Sequence, residues 1–391
     1  MRIRRCAVLW LEPREVARFE LETLLAGGTG VVSAMHWFAH APQLPAAIEV
    51  DAGEVSLLGE LSPTDWVEAA SLRERYGAAR LRALLRAGLV VAKGKRWAEQ
   101  RDADGALRAQ HWHGLAAQWH ADSRWQGVDA AREVADEGLD TAEGLRARHG
   151  APPPEAHACV PPSQRLALPE PATTALGELL DRRATCRNFD AARDLPLATM
   201  AGLLARVFGA RGRVRAAQDF DVLKKTSPSG GALHPVEAYL IARRVEGLAP
   251  GLYHYHAGEH ALEPLPSPPD LDAFARTAVA GQYWFADAHV LVVLAPRFAR
   301  NFWKYRNHAK AYRVVIMDAG HLSQTLYLCA TELGLGAFVT AAINETDIER
   351  AFGLTGYVDG PLAVCGFGFR ADDMATSEFD PGHRVWARED R

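Results

Sequence analysis

An α+β fold in two domains is what this 391-residue chain predicts, on three observations. Its second half alternates strand-like apolar runs with helical ones. A proline-dense stretch between Gly150 and Thr174 separates that half from the first. The 48% hydrophobic content is ample for two buried cores. No run approaches the roughly 18 uninterrupted apolar residues of a membrane span, and Met1 to Glu12 is an arginine-studded strand rather than a secretory signal, so a cytoplasmic location is expected.

In the first domain, residues 1–150, the stretch Glu54 to Lys95 has the rhythm of a short helix, a turn, a longer helix and a β-rich tail. Ser62-Pro63-Thr64-Asp65 resembles a helix start. Leu81, Leu84 and Leu85 recur at helical spacing before Gly88, and Leu89 to Ala92 follows as a wing strand. The pattern is that of a winged helix-turn-helix. Arg80, Arg82, Arg86, Lys93, Lys95 and Arg96 make it basic, so two uses stay open beside a plain solvated face: reading DNA, or adding a peptide strand to the wing. The formal net charge of -4 gives no case for general nucleic-acid binding. His111, Trp112, His113, Trp119, His120 and Trp125 follow without a familiar metal-ligand spacing, so packing is expected there and no metal. Cys6, Cys159, Cys186, Cys329 and Cys365 are dispersed and odd in number, which argues against a disulfide framework.

Residues 151–174 carry Pro152-Pro153-Pro154, Pro161-Pro162 and Pro169-Glu170-Pro171, and proline at that density continues neither a helix nor a central strand. An extended linker is predicted. In the domain of residues 175–391, strands are expected at Val236–Ala242, Leu252–His256, Leu262–Leu265, Ala288–Leu294, Phe338–Ile343 and Leu362–Phe369. Helices are expected at Ala175–Arg182, Leu197–Phe208, Asp270–Ala280 and Val315–Leu333. The last is long. Ile316, Leu322, Leu326 and Cys329 line one side of it, and Gly320, Ser323 and Ala330 permit close packing, so it reads as a central buried helix.

Three segments carry chemistry. Ser227-Pro228-Ser229-Gly230-Gly231-Ala232-Leu233-His234-Pro235 joins hydroxyls to glycines directly before a strand, which suits backbone lying flat against a ligand. Arg182-Arg183-Ala184-Thr185-Cys186-Arg187 places three guanidiniums close together, and their planar forks match phosphate oxygens. Leu333-Gly334-Leu335-Gly336 passes from helix to strand, as a ligand approach or as a simple helix C-cap. There is no Gly-x-Gly-x-x-Gly after a strand and no P-loop, so neither a dinucleotide Rossmann site nor a nucleoside triphosphate site is supported.

Together with Gly251-Leu252-Tyr253-His254-Tyr255 and Asp318-Ala319-Gly320-His321, these segments resemble the nitroreductase-like flavoproteins, over roughly residues 175 to 370. The closer resemblance is to their SagB-type branch, the dehydrogenases of thiazole- and oxazole-forming peptide maturation. It implies a nitroreductase-like fold with a mixed sheet and a central long helix. It also implies FMN held non-covalently at a homodimer interface. The phosphate would lie near Arg182, Arg183 and Arg187, and the ring against Ser227, Ser229, Gly230 and Gly231, with Gly334, Leu335, Gly336 and Arg370 also binding the cofactor. A Lys-Tyr pair serves dehydrogenation in that branch, and Lys304-Tyr305 stands at the corresponding place. The run from Lys304 to Tyr312-Arg313 is longer than the family's, which leaves Lys310 as a competitor for the active position.

What the resemblance implies is oxidation of azolines derived from Cys, Ser or Thr in a ribosomally made precursor peptide, alongside a cyclodehydratase. Two alternatives remain. One is an NAD(P)H-dependent reductase, for example of dehydroamino acids. The other is a flavin-sensing DNA-binding regulator.

Overall fold

The computed structural model describes residues 1–386, and the chain divides into two compact units. One is Met1–Arg124 together with Phe298–Arg313; the other is Trp125–Arg297 together with Val314 onward.

In the first unit the strands are β1 (Arg2–Arg5), β2 (Trp10–Phe19), β3 (Val31–His40), β4 (Ile48–Val50), β5 (Val67–Glu68) and β6 (Val90–Ala92). They form two antiparallel sheets, ordered β5-β1-β6 and β2-β3-β4. The single strand expected over Met1–Glu12 is therefore two. The chain leaves β1 at Cys6 and Ala7, whose backbone N–H groups donate to the Leu89 carbonyl and to Asp104.

Helices Ala52–Glu60, Ala69–Tyr76 and Ala78–Arg86 pack near the first sheet, and Leu81, Leu84 and Leu85 are buried as their spacing requires. Gly88, at φ +75°, follows the last of these. The helix expected at Ser62 begins instead at Ala69: the Ser62 hydroxyl accepts from the N–H groups of Thr64 and Asp65 and makes a local turn.

The wing strand forms as β6, but all three of its residues are fully buried, so it offers no open edge to a peptide. The exposed edge of that sheet is β5. The basic stretch is partly engaged, since Arg80 pairs with Asp51 at 2.8 Å and the Lys93 ammonium lies over the Trp66 ring.

The segment 151–174 is exposed throughout, with one short turn of helix at Pro162–Gln164. The second unit contains the hairpin β7 (Gly212–Ala217) and β8 (Phe220–Lys224). It also contains β9 (Val236–Ala242), β10 (Gly251–His256), β11 (Ala261–Leu265), β12 (Val290–Pro296), β13 (Gly336–Thr340) and β14 (Ala363–Gly368). The hairpin was not predicted: all six residues of β7 are exposed, so no apolar alternation marks it.

The main sheet runs β11-β10-β9-β12-β14-β13 with antiparallel pairing, and a parallel bridge from Thr185 to Ala337 adds a mixed edge. β12 is buried on both faces: Val290, Val292 and Leu294 enter one core, and Leu291, Val293 and Ala295 the other. Its run of Val and Leu is what a central strand requires.

Over the first core lies the long helix Ala311–Glu332, with Leu322, Leu326 and Ala330 buried and Cys329 packed beside them. Ile316, expected on that side, is instead 38% exposed, next to Met317. The second core is covered by helices Leu271–Ala278, Tyr283–Ala286 and Glu345–Phe352. Asp270 caps the first of these, accepting from the Ala273 N–H. No helix among the described residues is long and apolar enough to cross a membrane.

Candidate active site

The Ser227–Pro235 loop enters β9 and is pinned to one face of the long helix. The Ser229 hydroxyl donates to Asp318 at 2.5 Å, and the Gly230 N–H donates to the same carboxylate at 3.2 Å. Ser227 bonds to the Thr325 hydroxyl at 2.7 Å, and Ser229 Oγ also accepts from the His234 N–H. Asp318 and Thr325 are seven residues apart and share a face.

Gly230 is required by its own chain, because a Cβ there would lie 2.1 Å from Val314 Cγ1. Gly231 sits at φ +66°, and Ala232 and His234 are left-handed too, at +57° and +46°. Two non-glycine residues in that region within three positions store strain, which collects at functional loops.

The loop also borders a residue that sequence reasoning missed. Lys225 is buried, and loss of solvation pushes its ammonium below the ordinary lysine range. With Ser229, His234 and Asp318 it lines a cavity of about 10 Å³, room for about one water molecule. Burial likewise raises the Asp318 carboxyl, and the hydrogen bonds from Ser229 and Gly230 offset this only in part. The one available signal for Lys225 was its position two residues before Ser227.

The Arg182–Phe189 loop runs along β13, with the Cys186 N–H donating to the Ala337 carbonyl at 2.8 Å. Thr185 Oγ1 bonds to the Tyr327 hydroxyl at 3.0 Å, and the Arg183 guanidinium lies over the Tyr327 ring. Gly336 lets Cys186 approach, since a Cβ there would meet its sulfur at 2.5 Å. Gly334, at φ +71°, caps the long helix, and Leu335 is buried.

Glu378, which the sequence did not suggest, gathers this loop. Its carboxylate accepts from the backbone N–H of Arg187 at 2.5 Å and of Asn188 at 3.1 Å, from Arg370 at 2.5 Å and from the Trp386 indole at 2.8 Å. Arg370 is thus engaged within the chain, donating also to the Ala184 carbonyl. Arg182, Arg183 and Arg187 make no ion pair among the described residues, so this donor set fits a phosphate. Arg187 also borders a cavity of about 530 Å³ lined by Gln282, Trp284 and Ser377, where the buried Trp284 indole N–H has no hydrogen-bond partner among the described residues. That volume falls within the range of small-molecule sites.

The two loops meet the long helix on different sides. Asp318 and Tyr327 are nine residues apart, two and a half turns, which places them on opposite faces about 14 Å apart along the axis. On the sheet, too, the Ser-Gly-Gly loop adjoins the Val236 end of β9, whereas Thr185 pairs near the opposite end, where Ala337 faces Phe367.

The nitroreductase family pattern matches residues 180–369, spanning both loops. This chain carries a nitroreductase family domain. Microcin B17-processing protein McbC of Escherichia coli is 27% identical over 190 residues, covering 48% of this chain and 66% of McbC. Trifolitoxin-processing protein TfxB of Rhizobium leguminosarum bv. trifolii is 28% identical over 150 residues, covering 36% of this chain and 39% of TfxB. A protein of Methanocaldococcus jannaschii named as a nitroreductase is 27% identical over 195 residues, covering 50% of this chain and 92% of its own.

Within the nitroreductase pattern, Lys304, Tyr305 and Lys310 fall in the segment Phe298–Arg313, which belongs to the first compact unit. Lys304 and Lys310 are exposed and Tyr305 is half-buried. The Lys304 ammonium lies 5.4 Å from the centre of the Tyr305 ring. The Lys310 N–H donates to His308 Nδ1 at 3.1 Å. Of the His/Trp group, Trp112 and His120 are buried in packing, while Trp119 is exposed. Among the described residues, no group of three or more His, Cys, Asp or Glu is placed to hold a metal ion.

Proposed function

We propose that this chain is an FMN-dependent dehydrogenase that matures a ribosomally made peptide, oxidising azolines formed from Cys, Ser or Thr to azoles. The observation that carries the reading is the pairing of a strained Ser-Gly-Gly loop with an arginine loop whose three guanidiniums make no ion pair among the described residues, in a domain similar to two peptide-processing proteins.

Arg182, Arg183 and Arg187 would hold the phosphate, and Ser229, Gly230 and Gly231 would border the ring. Because the two loops lie on opposite sides of the long helix, one chain offers them to different cofactors, and a second copy completes each site. Exposed Ile316 and Met317 beside Gly320, where a Cβ would meet nothing within 4 Å, give that helix a face for such a copy. A cyclodehydratase would supply the azoline.

Bound FMN would accept the hydride of the two-electron oxidation, with oxygen as the final acceptor. The residues of this chain manage the proton. Lys304 removes one carbon-bound proton, Tyr305 orients the Lys304 side chain, and loss of the proton and hydride leaves the second double bond of the aromatic ring. Lys310 stands in reserve on the same loop. In the first unit, the exposed β5 edge is where a leader peptide would add as a strand.

The purified protein is expected to be yellow, and to bleach without oxygen on addition of a peptide bearing a thiazoline, whose mass falls by two hydrogens. A colourless protein that takes up no FMN would overturn the reading. The nitroreductase-named relative favours a second possibility, reduction driven by NAD(P)H. Turnover in air without nicotinamide excludes it.

A further inference from the structure

The loop that carries Lys304 and Tyr305 is anchored by residues from far away in the sequence. Its flanking rings, Phe298, Phe302 and Tyr312, converge on Trp112 with centroids at 4.6, 4.7 and 5.3 Å. His120 stacks on Trp112 at 5.2 Å, and its Nδ1 forms a 2.9 Å hydrogen bond with the Tyr312 hydroxyl, 192 residues away. All five side chains are buried.

Asn301 closes the loop from inside. It is fully buried, its Nδ2 donates to the Ala311 carbonyl at 2.9 Å, and its own backbone carbonyl accepts from the Lys304 and Tyr305 N–H groups. At the tip, the Asn307 N–H donates to the His111 carbonyl at 2.9 Å. The first unit thus grips both ends and the tip of the loop while Lys304 stays exposed.

We propose that His120 and Tyr312 are positioning residues for the Lys304–Tyr305 pair, which makes the N-terminal residues a working part of the dehydrogenation step as well as a place for peptide binding. This rests on Lys304 as the proton acceptor proposed above. Removing one side of this buried hydrogen bond takes away an anchor at the end of the loop, so the loop shifts. A displacement of about 1 Å at a reacting group costs on the order of 10²-fold in rate. The cofactor loops belong to the second unit and are held by Asp318 and Glu378, so the effect falls on proton removal and spares flavin binding.

The test uses full-length Tyr312→Phe, which keeps the ring, and His120→Gln, each loaded with FMN. Anaerobic bleaching by a synthetic peptide with one thiazoline is followed beside reoxidation by oxygen of the dithionite-reduced protein. In both variants, bleaching at saturating peptide is expected to slow roughly 10- to 100-fold. The half-saturating peptide concentration, flavin content and reoxidation rate should stay as in the wild type. Wild-type bleaching in the variants overturns the inference. So does a parallel fall in bleaching, reoxidation and flavin content, which marks general damage. A wild type that never bleaches with the thiazoline peptide removes the dehydrogenase reading itself, a result visible before any variant is compared.

Discussion

The two loops proposed to hold the cofactor are each pinned by one buried carboxylate, and the pins differ in charge. Glu378 holds the Arg182–Phe189 loop with a cation, Arg370, beside it. Burial alone would raise the Glu378 carboxyl, but hydrogen bonds from the Arg187 N–H and Trp386 and the charge of Arg370 outweigh it, leaving it below the ordinary range. Asp318 holds the Ser227–Pro235 loop through a hydroxyl and a backbone N–H, with no ion pair to it among the described residues, and burial leaves it above the ordinary range. The difference teaches that the Arg182–Phe189 loop is fixed by a neutralised pair, whereas the Ser227–Pro235 loop is fixed by a carboxylate whose charge is poorly compensated.

Removing the pins should separate them most clearly. Glu378→Ala strands Arg370 and frees two backbone N–H groups at once, so a loss of about 3–5 kcal/mol is expected, the range for breaking one side of a buried ion pair. Asp318→Ala leaves only neutral donors unsatisfied and should cost about 1–3 kcal/mol. Urea denaturation of both variants measures the gap, and equal losses would erase the distinction. Flavin content sharpens it further: Asp318→Ala should loosen the Ser227–Pro235 loop and, on the proposed reading, shed FMN even where the fold survives.

Acidity should move the two pins in opposite directions. Glu378 is below its ordinary value of 4.5 when folded, so the stability it provides is present above about pH 4.5 and is lost as pH falls through the folded value. Asp318 is above its ordinary value of 3.8 when folded, so its contribution is complete below that pH and is lost as pH rises through the raised value. Melting temperatures taken from pH 3 to 7 should therefore show Glu378→Gln converging on the wild type in acid. Asp318→Asn, which resembles the protonated carboxyl, should match the wild type most nearly in acid and exceed it as pH rises, because it lacks the decline that the wild type shows. Parallel curves for the two variants would contradict the assignment.

The same contrast explains what the sequence made legible. The Ser-Gly-Gly loop announces itself because its composition is local and its glycines are needed where they stand, against Val314 and at φ +66°. The strands of the main sheet are readable for a similar reason, since β12 is apolar at every position. Asp318 is visible in the sequence only as part of a motif and Glu378 not at all, because the loop donors that each carboxylate pins lie 88 to 191 residues away. The long helix was legible in length but not in every facing: Ile316 fits the apolar stripe yet points outward, as a helix packed on one side allows. In the first unit, Trp112 and His120 were legible as packing residues, but their partners Phe298, Phe302 and Tyr312 lie beyond an entire second-unit sequence.

The smallest expected effects come from two glycines, one bonded to the Asp318 pin and one at the end of the long helix. Gly230→Ala would press a methyl group into Val314 at a site where the backbone is already tied to Asp318, so neither side can retreat freely; overpacking of this kind costs about 1–3 kcal/mol. Gly334→Ala meets nothing within 4 Å and is penalised only for its left-handed φ of +71°, about 1 kcal/mol. The two substitutions add the same atom, so stability alone separates them weakly. Their flavin content should separate them well: Gly230→Ala displaces the segment proposed to border the ring and should lose FMN, whereas Gly334→Ala acts at the helix end and should keep it. Equal retention would mean that the Ser-Gly-Gly loop tolerates movement without consequence for the cofactor, and that its tight fit to the long helix serves packing alone.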